Sequence, residues 1–215
     1  MIKVYYSHTP FWRAEVLRVS LYISNIPFED VRISRDEFIK MIKTGFLPNG
    51  KRVPFHQLPV IEVDGKIIGQ TGAIARYCGK QGGFYPRDDD FAAAKIDELI
   101  DTATDITVCI GPTMRMGEAE KLEARKKLAT DKLPMYFSAL EKIMKENGST
   151  GFFVGSKMTI ADLAMWRLFG WINGGILDGL PTDLLDSYPL LTKFFNDMDS
   201  HPQIRAWMDS HYPKK

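Results

Sequence analysis

The chain has 215 residues, 45% hydrophobic and 26% charged, with 28 Lys and Arg against 27 Asp and Glu. This is ordinary globular composition, long enough for two modest domains, and a formal net charge of +1 lacks the basic excess of a dedicated nucleic-acid binder. No apolar run approaches the roughly 18–20 residues of a membrane span, and no basic stretch with an apolar core and cleavage site opens the chain, so a cytoplasmic protein without membrane contact is expected.

Ile2-Lys3-Val4-Tyr5-Tyr6 alternates and is rich in β-branched and aromatic residues, which predicts a strand. Loop residues Ser7-His8-Thr9-Pro10 follow, then a helix from about Phe11 to Ser24 with apolar positions on more than one side. Ile26 to Ile33 returns as a strand, Asp36 to Lys43 as a short helix, and Gly45 to Pro54 as a loop. Cys78 and Cys109 form no CxxC pair and no metal-spaced cluster with the histidines, so two reduced thiols and no metal are expected.

The most informative stretch runs from Gln57 to Tyr77. It reads as a strand opened by Pro59, a tight hairpin at Asp64-Gly65, a second short strand, and a helix (about Gln70 to Lys80) with polar first residues. A proline entering a strand removes a ladder donor and leaves neighbouring backbone groups free for something outside the sheet. A helix N-terminus offers free N–H groups to an anion. Together they point to a grip on an extended, negatively charged, peptide-like ligand.

Gly82 to Asp90 breaks the pattern with turn formers and charge and is the candidate linker. Beyond it the pattern is helical: Phe91 to about Met116, bent near Gly111-Pro112; Glu118 to about Asn147, interrupted at Pro134; and a third helix opened by Thr159-Ile160-Ala161-Asp162. That tetrapeptide is a capping box ahead of a helix apolar nearly all round, hence buried.

This ordered set resembles the glutathione transferases over essentially the whole chain. The points of contact are Leu58-Pro59-Val60, Gln70-Thr71 followed by Ala73-Ile74-Ala75-Arg76-Tyr77, the linker phrase Phe84-Tyr85-Pro86, and the capping box. Asn25-Ile26-Pro27-Phe28-Glu29-Asp30-Val31 and Gln57 through Gly65 look most like the sigma class, which includes prostaglandin D synthases. The resemblance implies an α/β plus all-α fold: a thioredoxin-like glutathione-binding domain over 1–80, a linker over 81–90, and an all-helical domain over 91–215 that contributes the second-substrate pocket. It also implies a cis Pro59, backbone pairing of Leu58 with the cysteinyl unit of glutathione, and a γ-glutamyl carboxylate held by Gln70 and Thr71. Gln57 would meet the glycyl end and Lys51 or Arg52 its carboxylate. Asp97 and Asp101, one turn apart, would reach toward the neighbouring subunit of a homodimer.

The implied enzyme adds the glutathione thiolate to an apolar electrophile. Its alternatives are a glutathione-dependent isomerase of the prostaglandin D synthase type and a non-catalytic ligand-binding relative. A free thiol with a pKa of about 8.5 is only a few percent ionised at neutral pH, and lowering that pKa by two units takes about 2.7 kcal/mol. One hydrogen bond to the anion supplies about 1.5–3 kcal/mol, so a single hydroxyl nearly suffices. The tyrosine-type pattern matches Tyr6, with Ser7 and Thr9 as alternatives, because Tyr6 stands one residue further from Arg13-Ala14-Glu15 than in the sigma pattern. Arg13 is read as ordering this loop through a salt bridge. Phe11, Trp12, Ile110, Met114 and Trp171 are the candidate apolar wall for the second substrate.

Overall fold

The structure, a computed structural model, describes residues 1–213. Strand β1 (Ile2–Tyr6) leads into helix α1 (Trp12–Ile23), strand β2 (Phe28–Arg32) and helix α2 (Arg35–Thr44). Strands β3 (Val60–Val63) and β4 (Lys66–Gly69) form the hairpin, and helix α3 (Thr71–Gly82) closes the first half. The sheet order is β2-β1-β3-β4, with β1 parallel to β2 and antiparallel to β3. The hairpin turn is short because Asp64 and Gly65 both adopt positive φ, 48° and 82°, the geometry that matches strand twist in a two-residue connection.

Period-two alternation in β1 divides its side chains between two cores. Ile2 and Val4 join the cluster formed with α1 and α3, while Tyr5 packs with Ile33, Met41, Leu47, Val53 and Val60 on the α2 side. The first cluster continues through the helical half to the buried helix Ile160–Ile172 and the last helices, so the two halves share one core. Close approach is enforced at Gly79 of α3: a Cβ there would stand 2.7 Å from Ile160 Cγ2.

The second half comprises α4 (Asp90–Ile110), α5 (Glu118–Lys127), α6 (Leu133–Glu146), α7 (Ile160–Ile172), α8 (Pro189–Ser200) and α9 (Pro202–His211). Helix α4 stops at Ile110 instead of running to Met116, and a tighter turn, Gly111–Arg115, replaces its last part. Pro112 lacks the N–H that would continue the α ladder. The second long helix is broken earlier than expected, by a wide turn over Leu128–Lys132, and Pro134 sits in the first turn of α6. A proline is tolerated there because the first helical N–H groups have no intrahelical acceptor anyway. At the capping box, Thr159 N donates to Asp162 Oδ2 at 2.7 Å, and Asp162 Oδ1 also accepts from Phe153 N at 2.9 Å.

Candidate active site

A cleft of about 440 Å³ opens where β1, the β3 entry and the start of α3 meet. Tyr6, Ser7, Gln57, Leu58, Pro59, Gln70 and Thr71 all line it, together with Phe11 and Arg13. The register explains the convergence. Ile2 pairs with Val63 and Tyr5 with Val60, so continuing the ladder by one residue puts Pro59 beside Tyr6. The Leu58–Pro59 peptide is cis, and the sheet ladder begins only at Val60.

The α3 end of the cleft is suited to a carboxylate. Gln70 is held at φ 71°, a conformation that an L-residue adopts at a cost of about 1–3 kcal/mol and that recurs at functional sites. The first turn of α3 carries no acidic side chain, which leaves its N–H groups and positive dipole end uncompensated. Thr71 is only 4% exposed and its Oγ1 has no hydrogen-bond partner among the described residues. A buried hydroxyl without a partner is expensive, and this one belongs to a residue that lines the cleft.

The other end carries the hydroxyls. Tyr6 is largely buried, and burial pushes its pKa up to about 12, with the Arg13 and Arg18 guanidiniums pulling in the opposite direction. The phenol is therefore neutral and able to donate. Arg18 lies over its ring, 5.8 Å from the centroid. Ser7 also lines the cleft, its Oγ accepting a long contact from Thr9 N at 3.4 Å, whereas Thr9 is exposed and lies outside the lining.

Other expected residues sit elsewhere. Lys51 Nζ donates to the Gly65 carbonyl at 3.0 Å and lies 3.5 Å from Glu62, against the hairpin instead of the cleft. Asp97 is engaged within its own chain, accepting from Arg76 at 3.1 Å and from Tyr85 at 3.1 Å, while Asp101 is exposed. Trp12 is fully buried with Nε1 donating to Thr107 Oγ1 at 2.9 Å, because its place at the start of α1 turns the indole onto α4. Ile110 completes the stripe Ile96, Ile100, Ala103 and Ile106 that faces the core at helical spacing. Met114 is exposed, its sulfur accepting from Arg125 at 2.9 Å. Of the apolar set, Phe11 alone lines the cleft, with Trp171 edge-on behind it at 5.0 Å.

Arg13 corrects its expectation: among the described residues it makes no ion pair, and it lines the cleft near Tyr6. The loop is instead ordered by Arg18, one helical turn and a half further on. Its guanidinium donates to the Ser7 carbonyl at 3.2 Å and pairs with Glu15 and Asp30. Phe38, Phe55, Val60 and Gly69 complete the lining. Nothing local in the sequence marks them, because the β1–β3 register and the path of α2 bring them there. Cys78 is buried, which raises its thiol pKa to about 12, and it stands outside the cleft.

Two family models match: the glutathione S-transferase N-terminal domain over residues 3–80 and the C-terminal domain over residues 105–211. A glutathione S-transferase of Anopheles gambiae is 32% identical over 213 residues, 96% of this chain and 94% of that one. Among solved structures, a prostaglandin D synthase of Nilaparvata lugens superposes with a TM-score of 0.83 at 28% identity, each chain fully covered. A monomeric glutathione S-transferase of the hookworm Necator americanus superposes with a TM-score of 0.77 at 28% identity, covering 100% of this chain and 98% of that one.

Proposed function

Because the chain belongs to the glutathione S-transferase family, we propose that its cleft binds glutathione and that Tyr6 ionises the thiol for attack on an apolar electrophile. The observation that carries this reading is Thr71, which lines the cleft at the start of a helix whose first turn has no acidic residue, and whose buried Oγ1 has no partner among the described residues. A γ-glutamyl carboxylate held there by Thr71, Gln70 and the α3 N–H groups satisfies both needs. The tripeptide then runs along the β3 entry as an added strand, with the Leu58 backbone pairing its cysteinyl unit and Gln57 meeting its glycyl end.

In this pose the sulfur lies by Tyr6. A neutral phenol donates a hydrogen bond that strengthens as the thiol becomes thiolate, so the thiol pKa falls. The thiolate attacks an electrophilic carbon, a carbon–sulfur bond forms, and the leaving group departs with its electron pair, or the adjacent carbon takes a proton in a conjugate addition. Holding both reactants in one cleft supplies the rest of the acceleration. Phe11, backed by Trp171, offers an apolar surface to the second substrate.

The cellular setting we infer is cytoplasmic detoxification by a homodimer, in which exposed Asp101 contributes across the subunit boundary. Among the described residues no helix is long and apolar enough to cross a membrane. Retention on immobilised glutathione with turnover of a chloronitroaromatic tests the main reading. Retention without turnover of several electrophiles points to a ligand carrier, and failure to be retained removes both. The likeness to the Nilaparvata lugens prostaglandin D synthase favours an isomerase as the second reading, checked by glutathione-dependent formation of prostaglandin D from its endoperoxide precursor.

A further inference from the structure

Tyr212 follows α9, at the far end of the chain from β1, yet its hydroxyl is a hub beneath the loop that carries the cleft's hydroxyls. It donates to Glu15 Oε1 at 2.7 Å and accepts from Arg32 Nη1 at 2.6 Å and Arg18 Nη1 at 3.1 Å. A phenol has one proton and two lone pairs, so this one is fully used. Glu15 and Arg18 are completely buried, and Trp207 Nε1 takes the second oxygen of Glu15 at 2.7 Å. Arg18 also touches the site: its Nη2 donates to the Ser7 carbonyl at 3.2 Å, and its guanidinium covers the Tyr6 ring. The His8 ring meets the Tyr212 ring at 5.7 Å.

We propose that Tyr212 is a positioning residue for thiol activation: through Arg18 it holds the Ser7–Pro10 segment and the Tyr6 ring in the geometry that lets Tyr6 donate to the sulfur. Buried Arg18 has its Nε on Asp30 and its Nη1 on Glu15 at 2.7 Å, so Nη2 alone remains for Ser7. Without the Tyr212 hydroxyl, Glu15 Oε1 and Arg32 lose a shared partner and draw on Arg18 and Asp30, the groups that aim Arg18 at the loop. Polar networks in a low-dielectric interior respond collectively to such a loss. Tyr212→Phe keeps the ring that meets His8, so loss of the hydroxyl alone reaches the segment through Arg18.

The proposal rests on the glutathione reading for its catalytic meaning, and one of the two readouts needs no ligand. In full-length Tyr212→Phe, amide hydrogen exchange over residues 7–11 is expected to accelerate about tenfold. The pKa of the bound glutathione thiol, followed by thiolate absorbance, is expected to rise by about one unit, a roughly tenfold loss of thiolate below both values. KM for glutathione should change much less than kcat, because the carboxylate grip at Gln70 and Thr71 is untouched. Unchanged exchange in this segment, or a lowered melting temperature with an unchanged thiol pKa, overturns the proposal. If Tyr212→Phe does not fold, Arg32→Gln, which removes one partner of the same hydroxyl at a half-buried position, must show the same two changes in smaller degree, and its failure to do so is equally decisive. If the parent protein shows no thiolate with glutathione, thiol activation and with it the catalytic role of Tyr212 fall, while exchange over residues 7–11 still reports whether Tyr212 holds the loop.

Discussion

Tyr5 and Tyr6 are neighbours in one strand whose side chains serve opposite sides of the sheet. The Tyr5 hydroxyl donates to Glu62 at 2.9 Å and accepts from Asn49 at 2.9 Å within the α2-side packing, whereas Tyr6 turns toward α1 and lines the cleft. Two chemically identical phenols are thus assigned to the packed side of the sheet and to the cleft by the two-residue period of the strand.

Tyr6→Phe should leave retention on glutathione intact and raise the bound-thiol pKa by about 1–2 units, the equivalent of a lost hydrogen bond to an anion. The matching experiment on Tyr5→Phe should lower stability by about 1 kcal/mol with thiol ionisation unchanged. If Ser7→Ala shifts the thiol and Tyr6→Phe does not, Ser7 is the activating donor.

The pH behaviour of Tyr6 has a definite sign. Burial raises its folded-state pKa from 10.0 to about 12. Between those values the folded protein holds a proton that the unfolded chain has lost, so this group's contribution to stability falls as pH rises from about 10 to about 12. Alkaline unfolding should begin later in Tyr6→Phe. A phenolate absorbance step for Tyr6 below pH 10, in a difference titration of parent against Tyr6→Phe, would be the contrary result.

Thr71→Val is expected to separate binding from folding. The Oγ1 has no protein partner among the described residues, so its loss should leave the melting temperature unchanged or slightly raised. Glutathione should bind about tenfold more weakly, the equivalent of about 1.4 kcal/mol. Calorimetry on both proteins reads the two quantities directly.

Gln70→Gly makes the same separation by a different route. Glycine accepts a φ of 71° without the Cβ penalty, so stability should hold or rise by up to about 1 kcal/mol. Loss of the amide side chain should reduce retention on immobilised glutathione. Unaltered retention would remove Gln70 from the site.

Glu15→Ala strips the buried Arg18 of its nearest carboxylate and leaves Trp207 Nε1 and the Tyr212 hydroxyl without their acceptor. Breaking a buried pair from one side costs about 3–5 kcal/mol. The urea midpoint should fall accordingly, and a change under about 1 kcal/mol would mean that water replaces the lost carboxylate.

Elements whose signal lies in adjacent residues are legible in the sequence. The alternation of Ile2–Tyr6, the Asp64-Gly65 turn, the Leu58-Pro59 entry, the Gln70-Thr71 helix start and the Thr159–Asp162 capping box each depend on contacts within a few positions. Backbone sterics and local hydrogen bonds determine them, and sequence records such neighbours directly. Helices α8 and α9 are less visible as separate elements, since a general helical pattern does not locate their boundaries.

The sequence by itself determined the local pieces of the cleft: Leu58-Pro59 at the strand entry and Gln70-Thr71 at the helix start are set by their own residue types. Tertiary structure alone decided which residues surround those pieces. It sent Trp12 and Ile110 into the core, tied Lys51 to the hairpin, brought Arg13, Phe38 and Phe55 to the cleft, and set Tyr212 beneath Ser7 across almost the full length of the chain. The reason is physical. A helix commits a side chain to one direction, but what lies in that direction depends on packing between segments far apart in sequence, and no local pattern encodes the partner.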